Sequence, residues 1–254
     1  MKPSRARFTL NAARGLLAFA ALVASYTTFA EARTFAEIDR LRMHADAGRD
    51  DAALAALQAA ARAGNVDAQR ATGEALLNST DPARATEGMS WLARAAAQND
   101  AHAMVMLGKA WLFGSLIAAR APDARNARAW FERAQPSINP HAAYYLGIME
   151  KAGYGRPADA VAAAAYFRFA AEQNMPDAMY LLGNAHASGE GVDLDPREAM
   201  RWYLRAAALE HPQAIQELAN AFARGDTLLP QSDFQATQMH RAVEHALRHP
   251  RAPP

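Results

Sequence analysis

Four residues near the C-terminus have the types and the spacing to do chemistry: His240, Glu244, His245 and His249. His240–Glu244 and His245–His249 each stand four positions apart. On a helix, either pair would put two metal ligands, or a histidine and a carboxylate for proton transfer, on one face. The two pairs point to different faces, because adjacent Glu244 and His245 diverge by about 100°. His249 also abuts Pro250, where a helix stops, and no third ligand follows from the pattern. The expectation is a terminal helix with solvated histidines, no catalytic residue and no metal or other cofactor. His102 and His141 fall at equivalent first-turn positions without a catalytic partner and are expected at the surface. The chain carries no P-loop, GxSxG, HExxH or SxxK motif. With no cysteine, it has no thiolate nucleophile, no zinc–thiolate site and no disulfide. Its carboxylates are expected in first turns and on solvated faces, where the helix dipole accounts for them.

The elements that must position any site are helices. Of 254 residues 65 are alanine, against 8% aromatics, 14 glycines and 13 prolines, a balance that favours helix over sheet. Residues 1–32 stand apart. Lys2, Arg5, Arg7 and Arg14 form a basic start, an apolar run covers 15–24, and Ala30-Glu31-Ala32 offers a small-x-small cleavage site before Arg33. This is the three-part pattern of a secretory signal peptide, and it places the mature chain in the bacterial periplasm or the medium. The other reading is a retained anchor, for which the run is about half the necessary length. Cleavage leaves no stable membrane span, and it turns the formal net charge of +1 into −2. That balance excludes the basic face of a nucleic-acid module. Residues 33–247 then form one helical repeat domain, with a disordered, proline-rich tail at 248–254.

The repeat is explicit. Gly147 and Gly183 are 36 positions apart, each behind a leucine, and Gly73, Gly108 and Ala219 keep the same phase. Alanine lies five residues before each of them, at Ala68, Ala103, Ala142, Ala178 and Ala214. An aromatic pair or its substitute follows later in each unit: Trp91-Leu92, Trp130-Phe131, Tyr166-Phe167, Trp202-Tyr203 and Met239-His240. Ala178, Leu182 and His186 share one helical face, while Ala199, Trp202, Tyr203 and Ala206 form a stripe on a second helix. Gly189 suits the left-handed end of the first helix, and Asp195-Pro196 suits the start of the second. Each unit is thus a helix-turn-helix hairpin that buries its apolar face only by stacking. Six helix pairs are predicted, at 35–47/50–63, 66–78/83–98, 101–114/123–135, 140–152/158–173, 176–188/196–209 and 212–224/232–247.

These residues resemble the Sel-one-like repeat family, a relative of the tetratricopeptide repeats. The match is strongest from Asp177 to Ala207, and it extends over about 67–243. Thr72 stands where the family has leucine, Glu150 and His186 where it has an aromatic, and Ala219 where it has glycine. The resemblance implies an all-α, right-handed superhelical solenoid of about six stacked hairpins. It also implies a non-enzymatic scaffold for a protein or peptide partner, with no nucleic acid and no cofactor. A hydrolase acting on cell-wall or related polymers is the alternative, and it would need a close carboxylate pair in a deep pocket.

In such a solenoid the first helices line the concave side, and positions off their packing stripe face the groove. Arg70, Glu74, Lys109, Tyr144, Tyr180, Asn184, Gln216 and Asn220 are these positions. Asn184/Asn220 and Tyr144/Tyr180 are each 36 apart, so ladders of amides and of rings are expected, able to hold an extended peptide. The alternative is ordinary surface residues. The third unit carries three extra residues and brings Leu112, Phe113, Leu116 and Ile117 to its turn. Either its first helix runs longer and tucks them in, or they form an exposed apolar patch for a partner or a second copy.

Overall fold

The computed structural model describes residues 36–45, 50–77, 79, 81–114, 122–137, 139–225 and 232–248. The region read as a signal, Leu116, Ile117, and positions 249–254 of the expected tail lie outside them. Among the described residues all regular structure is helical. The helices pair in order as α1 (36–45) with α2 (Asp51–Arg62) and α3 (Val66–Leu77) with α4 (Pro82–Ala97). Next come α5 (Ala101–Phe113) with α6 (Ala124–Ala134) and α7 (Pro140–Ala152) with α8 (Ala160–Glu172). The last pairs are α9 (Pro176–Ser188) with α10 (Pro196–Ala208) and α11 (Pro212–Arg224) with α12 (Asp233–Arg248). A short 3-10 turn, Gln135–Ser137, follows α6. The chain divides into two compact units, Met1–Gln98 with the first two hairpins and Asn99–Pro254 with the other four.

Local chemistry sets these boundaries. Asp50, Asp81, Asp100, Asp123, Asp159 and Asp195 each accept a first-turn backbone N–H of the helix that follows, as does Asn139. Proline opens α4, α7, α9, α10 and α11, where its missing N–H costs nothing. Inside each hairpin of the second unit one backbone bond recurs. The N–H groups of Asp123, Asp159, Asp195 and Ser232 donate to the carbonyls of Trp111, Glu150, His186 and Phe222, at 2.8 to 3.0 Å.

The leucine-glycine site and the aromatic pair prove to be two halves of one contact. A Cβ on Gly147 would lie 2.6 Å from Phe167 Cε1, and one on Gly183 would lie 2.6 Å from Tyr203 Cε1. In the four units with a glycine in this phase, the second member of the pair (Leu92, Phe131, Phe167 or Tyr203) therefore enters a notch that only glycine leaves open, and the two helices of the hairpin close onto each other. The first member packs outward from that notch. Trp91 and Trp202 are buried, Trp130 is half-buried, and each carries an arginine three residues on, stacked 4.3 to 4.5 Å over its ring. In the second unit the core runs through Ala143, Phe167, Ala171, Met175, Met179, Leu182 and Trp202. In the first unit it gathers Ile38, Leu57, Ala68, Leu76 and Trp91.

Three expectations are corrected. Helix α5 has 13 residues, as do α7 and α9, so it is not lengthened by the insertion. It ends at Gly114 (φ 70°), with Leu112 buried and Phe113 62% exposed. His186, on the helical face of Ala178 and Leu182 and at a position where the family has an aromatic, does not follow those two into the core. It is half-buried, and its ring lies 3.3 Å from the Asp193 carbonyl through Nδ1. Glu150 is not on a solvated face. Its side chain is 0% exposed, clasped by Arg128 Nη1 at 2.7 Å and by Arg156, whose Nε donates to Oε2 at 2.9 Å. Burial pushes the Glu150 carboxyl up, but the hydrogen bonds and charges of Arg156 and Arg128 outweigh it and hold its pKa below the ordinary value.

Candidate functional site

The first helices of the second unit, α5, α7, α9 and α11, repeat a polar and aromatic face beside their packing stripe. At one end Lys109 holds its Nζ 5.5 Å over the Tyr145 ring, and burial lowers its pKa. Tyr145 is stacked on Phe131 at 5.1 Å and meets Tyr144 edge-on at 5.1 Å. The Tyr144 hydroxyl is pushed up to about 12, first by burial and then by the charge of Asp177. Further along, Tyr180 stacks on His211 at 4.9 Å and leans on Tyr203 at 5.9 Å. These rings are held by helices and by one another, so they are presented without loss of rotamer freedom on binding.

Two polar features accompany the rings. His211 Nδ1 accepts the N–H of Ala214 and caps α11, so the neutral ring carries its proton on Nε2. That nitrogen lies 3.6 Å from Asp177 Oδ1, and His211 holds the Asp177 carboxyl below its ordinary value against the opposing effect of burial. The pair resembles an acid–base dyad, but its second ring nitrogen is committed to the helix cap. His141 differs: its Nδ1 is buried and has no hydrogen-bond partner among the described residues. Burial, followed by the charges of His102 and Lys109, lowers its pKa, which favours the neutral ring. One buried polar atom beneath this face is therefore left unsatisfied.

Of the expected groove residues, Lys109, Tyr144, Tyr180, Asn184, Gln216 and Asn220 are all half-buried on these helices. Neither ladder forms. Asn184 Oδ1 accepts the Tyr203 hydroxyl at 2.7 Å, and Asn220 Oδ1 accepts from Gln216 Nε2 at 3.0 Å. Tyr144 packs on Tyr145 and Phe167, and Tyr180 on Tyr203 and His211. Partners closer than one repeat win each side chain. Val105, in the same phase as Tyr144, is buried. Arg70 and Glu74 belong to the first unit, where Arg70 pairs with Asp67 at 2.7 Å and approaches Glu74 at 3.9 Å. The sequence reading missed Tyr145, Asp177 and His211. Asp177 keeps the phase of His102 and His141, and that register was the available signal. Among the described residues no three His, Asp or Glu side chains gather to hold a metal, and no helix is long and apolar enough to cross a membrane. His245 is exposed on α12, while the side chains of His240, Glu244 and His249 lie outside the description.

The Sel1 repeat model matches four consecutive stretches, 66–100, 101–134, 140–175 and 176–211. A Sel1 repeat protein from Oxalobacter formigenes is similar at 26% identity and TM-score 0.73, over 82% of this chain and 86% of that one. The protein c5321, a protective antigen present in uropathogenic Escherichia coli strains and displaying an SLR fold, is similar at 27% identity and TM-score 0.66. That likeness covers 76% of this chain but 41% of c5321, so the chain spans about two-fifths of its length. No curated protein matches. With four repeats in register over more than half of its residues, the chain belongs to the Sel1 repeat family.

Proposed function

We propose that this chain is exported to the bacterial cell envelope and holds a protein partner along the first-helix face of its second unit, without chemistry of its own. Sel1 repeats generally mediate protein–protein interaction. The observation that carries the reading is the run of fixed, half-buried rings at Tyr144 and Tyr180, interleaved with Lys109 and Asn184. Such a face offers apolar area and polar tips at low entropic cost, as protein-recognition surfaces do. The basic, apolar and small-x-small segments of residues 1–32 support export.

A hydrolase would need a carboxyl poised near neutral pH. The buried carboxylate Glu150 is instead neutralised by two arginines and held below its ordinary pKa. Two measurements test the proposal. Fractionation and N-terminal sequencing of a C-terminally tagged chain should find it in the periplasm or medium, beginning at Arg33. A full-length cytoplasmic product would end the export reading. Gln216→Ala with Asn220→Ala removes groove amides bonded to each other, and should weaken capture of the cross-linked partner about tenfold, ~1.4 kcal/mol. Unchanged capture by the folded double variant would remove the partner from this face.

A further inference from the structure

The junction between the α7–α8 and α9–α10 hairpins contains a cavity of about 610 Å³, lined by Val161, Arg168, His186, Val192, Asp193 and Asp195 with Gly189 and Gly191. A shift of 36 residues explains why it is open. In the preceding junction Arg128, Glu150 and Arg156 fill the corresponding space with an ion cluster. Their counterparts are Ala164, His186 and Val192, so two guanidinium groups and a carboxylate give way to a methyl, a ring and a valine. The backbone frame is kept. Gly155 lies against Ala124, and Gly191 presses on the Ala160 carbonyl so closely that a Cβ there would collide with its oxygen.

The side chains left in this cavity form a complementary set. Arg168 is exposed and has no partner among the described residues, and neither has the Asp193 carboxylate. Asp195 is occupied, accepting from Arg197 and Glu198 N–H groups as the α10 cap. The His186 ring is oriented by the Asp193 carbonyl, which can only accept, so Nδ1 carries the proton and Nε2 is its other hydrogen-bonding atom. Val161, 69% exposed, and half-buried Val192 supply an apolar wall. We infer that the cavity binds a small zwitterion with an aliphatic body, a free amino acid or dipeptide. Its carboxylate meets Arg168, its ammonium meets Asp193, and its side chain lies on Val161 and Val192. The Asp195 carboxylate is held by the N-terminal N–H groups of α10, which leaves Arg168 and Asp193 as an unpaired charge of each sign beside an apolar wall, a set that selects this class over a simple anion or cation. The site is separate from the first-helix face and does not depend on the partner proposed there.

The test is calorimetry and NMR titration of the purified chain with leucine, glycyl-leucine, N-acetylleucine and leucinamide. Leucine or glycyl-leucine should saturate, and each capped compound should bind leucine's site at least tenfold more weakly. Arg168→Gln should abolish the preference for leucine over leucinamide. Asp193→Asn should abolish the preference over N-acetylleucine. Both residues are exposed, so an unchanged melting curve verifies the fold of each variant. The triple change Ala164→Arg, His186→Glu and Val192→Arg rebuilds the neighbouring cluster and should eliminate binding. Absence of saturation by leucine and glycyl-leucine, equal binding of the capped compounds, or wild-type behaviour of the three variants would overturn the assignment.

Discussion

Two successive junctions in the second unit share a backbone and differ in what they hold. Between the α5–α6 and α7–α8 hairpins, Glu150 sits at 0% exposure between Arg128 and Arg156, and Arg128 also donates to the Tyr154 carbonyl at 3.2 Å. Between the next two hairpins His186 takes the place of Glu150, and an open cavity takes the place of the cluster. The repeat thus fixes the frame through its caps, its glycine notches and the recurring N–H to carbonyl bond. The side chains at the junction are left free to specialise, one toward rigidity and one toward access. A buried carboxylate between two arginines is stable only while every member is present.

That asymmetry is the first thing to break. Glu150→Ala strands Arg128, which is 13% exposed, and should cost about 3–5 kcal/mol in chemical denaturation. A loss under 1 kcal/mol would mean that the cluster is decorative. The glycine seats sharpen the contrast. Gly191→Ala combines φ +77° with a collision against the Ala160 carbonyl and should cost about 2–4 kcal/mol. Gly155→Ala, at φ +80°, meets the Ala124 methyl at 3.3 Å and no backbone atom closer than 3.6 Å, and should cost about 1–2 kcal/mol. Equal losses at the two seats would remove that distinction.

Acid adds a signed test. The folded pKa of Glu150 lies below its ordinary value of 4.5. Its contribution to stability is therefore present above that value and is lost as pH falls through the depressed one. Glu150→Gln should flatten this part of the acid-unfolding profile, and an unchanged slope would contradict the clasped carboxylate. The smallest effect belongs to the open junction. His186→Ala should shift stability by no more than about 0.5 kcal/mol, and a loss comparable to that of Glu150→Ala would restore His186 to the core.

The hairpins were legible because their signals are local. Asn139-Pro140 and Asp195-Pro196 announce helix starts, Gly153 and Gly189 announce ends, and the described helices begin and end within two residues of the positions expected. The leucine-glycine phase and the aromatic pair were legible too, although that one fills the notch of the other required coordinates. Glu150 was not. It occupies an aromatic slot, and its two arginines lie 22 positions before and 6 after, with no periodicity to link them. The differences Arg128/Ala164, Glu150/His186 and Arg156/Val192 at one 36-residue shift were the trace available. The amide and tyrosine ladders failed for a related reason. Register brings like residues near each other, but Tyr203 and Gln216 lie nearer still and take the hydrogen bonds. One consequence is that Asn184→Ala would deprive the Tyr203 hydroxyl of its acceptor, so stability is not left untouched there.

The proposed binding face is tested most directly by replacing Tyr144 or Tyr180 with a photoreactive phenylalanine analogue in cells. The control places the same analogue at Arg201 on α10, where the side chain is 73% exposed. A partner held by the first helices should give discrete adducts from Tyr144 and Tyr180 and none from Arg201. Adducts from Arg201 alone would place recognition on the second helices and contradict the account.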